Sequence, residues 1–321
     1  MSTKWLRFIG LPLTAVCAAA ALTACGGNGN RGAGGNPPEA TATTSVTPLA
    51  AGQSYIGTLS FGDTVRVDLD APSPGQLTVT FASSQFGLSG SLVGSYTSNT
   101  TSGGTRYAVS TFGAGPGAPA GLASAAARAG LSFTVVTDAS HRGILSGALT
   151  GLPNLKANDN STLSGQINAS NNGVTAVAAL AGTYSFVKLS GNYASNGVAQ
   201  GDQDAESGQI HIDASGAVRF CAGQAWSESC MNYDAQTGAT TATTGSVSAD
   251  PDQTTYPGAF DVTANGLMLG RMFVSTSGTR TSMFLDQAGV NSDGTYRTGT
   301  WVLTTAQPLA VGRAGREGLC G

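Results

Sequence analysis

Apolar and polar residues alternate along this chain from about residue 55. In "TVRVDLD", Val65, Val67 and Leu69 fall on one face, while Thr64, Arg66, Asp68 and Asp70 take the other. That is the period of a half-buried strand. "QLTVTF" repeats it with Leu77, Val79 and Phe81. "APSPG" between them supplies the fixed and permissive φ values of a turn. Further strands are expected near 86–96, 105–112, 131–138 and 143–150. Several carry internal glycine, as in "GLSGSLVGSY", which predicts bulges or strong bending as in barrels. Residues 113–130, "GAGPGAPAGLASAAARAG", break the series. They read as a surface loop with one short helix near Leu122–Ala129, rather than as a lid or plug.

A second unit starts near residue 180. "GQIHIDASGAVRFC" predicts a hairpin with Ile210 and Ile212 opposite Val218 and Phe220. "AFDVTANGLML" predicts another, because Asn265-Gly266 suits a type I′ turn. "RMFVSTSGTRTSMFL" and "NSDGTYRTGTWVL" complete an antiparallel meander. "GTY" at 182–184 and "GTW" at 299–301 sit in its first and last strands. Pairing of those strands would close the meander and leave no edge.

The predicted fold class is therefore all-β: antiparallel hairpin meanders forming one or two small barrels or sandwiches. The body divides into an N-terminal β domain (53–150), a connecting segment (151–179), a C-terminal β domain (180–305) and a tail (306–321). Tyr184, Phe186, Phe260, Phe284 and Trp301 read as core. The G-T-aromatic opening resembles the first strand of lipocalin-type barrels, which implies a closed barrel and nothing about a ligand.

Charge narrows the function classes. Only 10% of residues are charged and the formal net charge is -3. After Cys25 the only lysines are Lys156 and Lys188. A nucleic-acid partner needs a basic face to displace counterions, and the sequence offers none. Nor is there a polybasic stretch for anionic lipid headgroups.

The first residues carry a different signal. Lys4 and Arg7 precede an uncharged run from Phe8 to Leu22, which "LTAC" closes. The run is short for a spanning helix. Residues 1–25 resemble the signal and lipobox of bacterial lipoproteins, where an aliphatic and two small residues precede a cysteine. The resemblance implies diacylglyceryl transfer to Cys25 Sγ and cleavage between Ala24 and Cys25, so that 1–24 is a signal peptide and Cys17 is discarded with it. Residues 25–52 are Gly-, Asn- and Thr-rich and read as a tether without a core. Gly26, where such lipoproteins often carry Asp for inner-membrane retention, leans the expectation towards the outer membrane.

Candidate chemistry is sparse. Cys221 and Cys230 bracket "AGQAWSES", and in an exported chain they are expected to form a disulfide. Cys320 has no evident partner. In "GDQDAESGQIHID", Asp202, Asp204 and Glu206 alternate and Asp213 stands twelfth. That spacing is a weak calcium-loop candidate, because Ser207 replaces the glycine such loops need. His211 and Asp213 share a strand face by period two, and the expected reading is an exposed pair rather than a catalytic one. No G-x-S-x-G, HExxH or P-loop occurs.

The sequence thus points to a lipid-anchored envelope protein without catalysis or cofactor. Its expected role is to bind a protein or small-molecule partner. A passive structural role is the alternative, and an envelope enzyme stands third.

Overall fold

The computed structural model describes residues 45–306, except 47, 48, 50, 51, 172, 173, 234–237, 278 and 292. The signal, Cys25, the tether up to residue 44 and Cys320 lie outside the described residues. The fold is all-β, built from two closed antiparallel barrels of eight strands each.

The first barrel comprises β1 (Ser54–Leu59), β2 (Asp63–Leu69), β3 (Gln76–Ser83), β4 (Gly90–Thr101), β5 (Gly104–Ala114), β6 (Gly130–Thr137), β7 (Gly143–Pro153) and β8 (Thr162–Ser170). It closes where β8 returns to β1, with Gly57 opposite Ala169. Val65, Val67, Leu77 and Val79 point inward and are fully buried, as their alternation predicts. Two sequence expectations are corrected here. Residues 151–179 are not simply a connecting segment, because they contain β8, the strand that closes the barrel. The 113–130 segment is not a surface excursion either. Its helix α1 (Ala120–Ala125) and a following 3-10 turn put Leu122 and Ala126 into the core. They plug one barrel end, and burying Leu122 there is worth about 2 kcal/mol.

The second barrel follows in strict meander order: β9 (Gly182–Tyr193), β10 (Ala199–Ile212) and β11 (Ala217–Ala222), then β14 (Thr243–Ala249), β15 (Phe260–Ala264), β16 (Leu267–Ser277), β17 (Arg280–Val290) and β18 (Tyr296–Thr305). The excursion between β11 and β14 carries a small ribbon, β12 (Asn232–Tyr233) with β13 (Thr240–Thr241). Ile210 pairs with Phe220 and Ile212 with Val218, as the hairpin pattern predicts. Asn265 and Gly266 both have positive φ (50° and 77°), the type I′ requirement. The two G-T-aromatic strands do pair, with Lys188 opposite Trp301, and closure follows. One end is sealed by Val46, Val177 and Leu180. The described chain enters beside that sealed end, where Ser45 bridges Ala176.

The barrels pack side by side through β1 on one and β16–β18 on the other. β1 is buried on both faces: Tyr55 and Leu59 point into their own barrel, while Ile56 meets Phe273 of the second. Thr300 Oγ1 donates to Thr58 Oγ1 at 3.3 Å, and Ser170 Oγ donates to the Val274 carbonyl at 2.9 Å. Thr64 Oγ1 donates to Asp286 Oδ2 across this seam.

Asp63 and Asp286 are respectively 0% and 2% exposed there, and each keeps one carboxyl oxygen with no hydrogen-bond partner among the described residues. Burial pushes Asp63 up to about 8, with the Asp286 charge adding to it, and pushes Asp286 up to about 7. Both lie above the ordinary 3.8. A carboxyl whose folded value is raised holds its proton better folded than unfolded. Its stabilising contribution is complete below 3.8 and disappears as pH rises through the folded values. Carboxylates held below the ordinary range, such as Asp138 and Asp293, act only at more acidic pH. The melting temperature should therefore fall between about pH 5 and pH 9. In Asp63→Asn that fall should shrink and the pH 9 melting temperature should rise by about 5 °C, since each kcal/mol is worth roughly 2–4 °C at this size. Thermal melts across that range check this. A wild-type melting temperature that is flat or rises with pH contradicts it.

Candidate functional site: the open end of the second barrel

Each strand of the second barrel points alternate residues inward, so the interior can be read in levels. Near the sealed end Ile212, Val218, Val274 and Met283 fill the space. Above them Phe186, Phe220 and Trp301 form an aromatic floor. Phe186 and Trp301 rings lie 4.9 Å apart, and Phe220 meets Trp301 edge-on at 6.0 Å. Trp301 is fixed by its Nε1–H, which donates to Gln287 Oε1 at 2.9 Å. That leaves a cavity of about 150 Å³ open at the mouth, walled by Ala222, Ala264, Leu269 and Asn232.

Beside the cavity the interior turns ionic. Lys188 Nζ lies 2.5 Å from Glu206 Oε2 and 3.0 Å from Asp204 Oδ2. Arg297 reaches the same Asp204 oxygen at 2.6 Å and donates to Ser190 Oγ at 3.0 Å. Two cations thus face two carboxylates, and the charge closes within the barrel. Partial burial pushes Asp204 up, but Lys188 and Arg297 outweigh it and hold its carboxyl below the ordinary value. Lys188 is 9% exposed. A buried ammonium is tolerated only with such partners.

Lys188 and Arg297 were not recognised as site residues from the sequence. The signal was an inverted alternation in "FVKLSG": Val187 and Leu189, which a simple reading turns inward, are 63% and 38% exposed, and Lys188 points in. Trp301, read as core, is core and floor at once.

The excursion after β11 forms one wall. Cys221 and Cys230 are disulfide-bonded, with their Cα atoms 5.7 Å apart, as expected. The bridge holds Asn232 in place: its Oδ1 accepts from Ala222 N at 2.8 Å and its Nδ2 donates to the Phe220 carbonyl at 2.9 Å. The rim is apolar. Tyr233, Leu267 and Val290 are 67–70% exposed, and Met231 and Met268 nearly half so. A second cavity of about 220 Å³ lies between the β15–β16 turn and the end of β17, lined by Leu267, Met268 and Val290 with Arg297.

The structure places the residues of the calcium-loop candidate as follows. They run as strand β10, not as a loop. Asp204 and Glu206 are held by Lys188 and Arg297. Asp213 sits past the other end of the strand, nine residues and about 30 Å from Asp204. Its Oδ1 accepts from Ser215 N, Ser215 Oγ and Ala217 N, closing its own turn. The side chain of Asp202 lies outside what the structure describes. Among the described residues no three His, Cys, Asp or Glu are grouped to hold a metal ion.

His211 and Asp213 border one shallow groove on the outer wall, but Asp213 is committed to its turn. The imidazole stacks on Trp226 at 4.2 Å, and its Nδ1 meets Thr183 Oγ1 at 3.0 Å. The arrangement orients the ring without placing a carboxylate on it.

No protein-family model matches the chain, and no curated protein matches it. The geometry of the site carries the argument for what it does.

Proposed function

We propose that this chain is a lipid-anchored envelope protein whose role is non-catalytic binding, and that its contact surface is the open end of the second barrel. The observation that carries the reading is the apolar rim, Met231, Tyr233, Leu267, Met268 and Val290, around an unfilled mouth. Exposed apolar residues scattered singly need no explanation, whereas a group round one opening marks a contact site. The cavities inside that rim are smaller than the roughly 300–1,000 Å³ of ordinary small-molecule pockets, which favours a protein partner over an enclosed ligand. The lipobox-like "LTAC" supports the anchor. The described chain enters the barrel at its sealed end, where Ser45 bridges Ala176, and the mouth is at the opposite end.

A photo-crosslinking residue placed at position 267 in living cells tests this, with position 136 on the first barrel, also exposed, as the control. The reading expects a discrete adduct from 267 and none from 136. No adduct from 267, or equal adducts from both, contradicts it.

A further inference from the structure

The mouth of the second barrel also suggests what it receives. We infer that the cavity over Trp301 is an anchor pocket for one phenylalanine-sized side chain of a protein partner. The inference rests on the docking role proposed above and adds the chemistry of the residue recognised.

Size is the first argument. An apolar cavity of about 150 Å³ binds benzene, and this one has that volume. The space stops at Trp301 because the next inward residues toward the sealed end on the same strands, Tyr184, Val218 and Leu303, are packed in the core. A long acyl chain therefore has nowhere to extend, while one ring fits. Chemistry is the second. Phe186, Phe220 and Trp301 offer ring faces and edges, Leu269, Ala222 and Ala264 add apolar wall, and Glu206, Asn232 and Thr243 are the polar residues of the lining. Aromatic pairs at 4.5–7 Å gain about 0.5–1.5 kcal/mol beyond area burial.

Preorganisation is the third. Trp301 is fixed by Gln287, and the Asn232 wall is fixed by two hydrogen bonds beside the disulfide. A pocket already formed spares the ordering cost that weakens flexible sites. Continuity is the last. The pocket opens into the exposed apolar rim, on the end away from the chain entry. A buried aromatic anchor surrounded by weaker contacts that exclude water is the energetic pattern of protein interfaces.

The test uses N-acetyl-phenylalaninamide as the probe, titrated into the isotopically labelled mature chain and followed by amide NMR. N-acetyl-alaninamide and decanoate run beside it. Saturable shifts at Phe220, Ala264 and Trp301 are expected, with a dissociation constant in the millimolar range. Ala264→Trp should fill the space and abolish them without lowering the melting temperature. Cys221→Ser/Cys230→Ser, which frees the Asn232 wall, should weaken binding about tenfold.

No saturable shift by about 20 mM, well above a millimolar constant, overturns the inference. So does an unchanged response in Ala264→Trp, or a stronger response to decanoate than to the amide. A crosslink from position 267 that survives Ala264→Trp would remove the anchor and leave the docking role standing. Amide binding without any crosslink would remove the docking role and leave the ring-sized pocket.

Discussion

A Cys25→Ala chain should incorporate no labelled palmitate and should accumulate as an uncleaved precursor. The thiolate is the nucleophile that forms the thioether, and alanine offers no substitute. In the lipoprotein pathway that "LTAC" resembles, cleavage before residue 25 follows acylation, so one substitution blocks both steps. Anchoring strength makes the expected effect all-or-none. Each buried CH₂ contributes about 0.8 kcal/mol, one chain binds reversibly and two or more bind durably. With residues 1–24 replaced by an ordinary cleavable export signal, Cys25→Ala should release the mature body into the soluble fraction. Fractionation with a mass measurement on each form decides the matter. Palmitate uptake by the alanine variant, or membrane retention of the cleaved alanine form, would remove the anchor from the proposal.

The second barrel was legible from its pattern because its turns are marked and its strands alternate. The "ASG" turn fixes the register that puts Ile210, Ile212, Val218 and Phe220 inside, and Asn265-Gly266 fixes that of β15 on β16. The first barrel was legible only to Thr150. β8, "TLSGQINAS", is polar and glycine-bearing, and what buries its end is the neighbouring barrel, through Ser170 on the Val274 carbonyl. No single-chain alternation reports a surface covered by another unit. The same holds for Ile56, an outward residue whose burial comes from Phe273. The plug around Leu122 was missed for a related reason, since a run of alanine and glycine hides one decisive apolar side chain.

At the candidate site the disulfide followed from spacing and context. The acidic run did not resolve itself, because alternating carboxylates suit a cation loop and a strand equally well. Pairing with β9 decides it by bringing Lys188 opposite Glu206. The seam carboxylates were invisible, since Asp63 and Asp286 stand 223 residues apart and only the packing of the two barrels brings them together.

Gly270→Val should prevent the second barrel from closing. Gly270 faces inward on β16 opposite Gln287. A Cβ added there would lie 1.9 Å from the Asp286 carbonyl oxygen and 3.0 Å from Gln287 Cα. Ordinary contact begins at 3.4 Å, so the neighbouring backbone must retreat by 3.4 − 1.9 = 1.5 Å. That backbone cannot move cheaply. It is β17, bonded to β16 on one side and to β18 on the other. Its Asp286 side chain also accepts from Thr64 of the other barrel, so a shift that relieves the clash disturbs the ladder and the seam together. Overpacking in a closed core costs about 1–3 kcal/mol, and more when backbone must yield. The loss expected here is above about 3 kcal/mol, enough for insoluble expression or a melting temperature lowered by roughly 10 °C.

Gly270→Ala carries the same Cβ clash without valine's two γ-methyl groups and should also be clearly destabilised. Gly113→Ala is the control, because nothing lies within 4 Å of a Cβ built there. It should change stability by no more than about 0.5 kcal/mol. Chemical denaturation followed by circular dichroism compares the three variants. If Gly270→Ala melts with the wild type, the close approach of β16 to β17 is not what lets the second barrel close, and the strain assigned to that crossing is wrong.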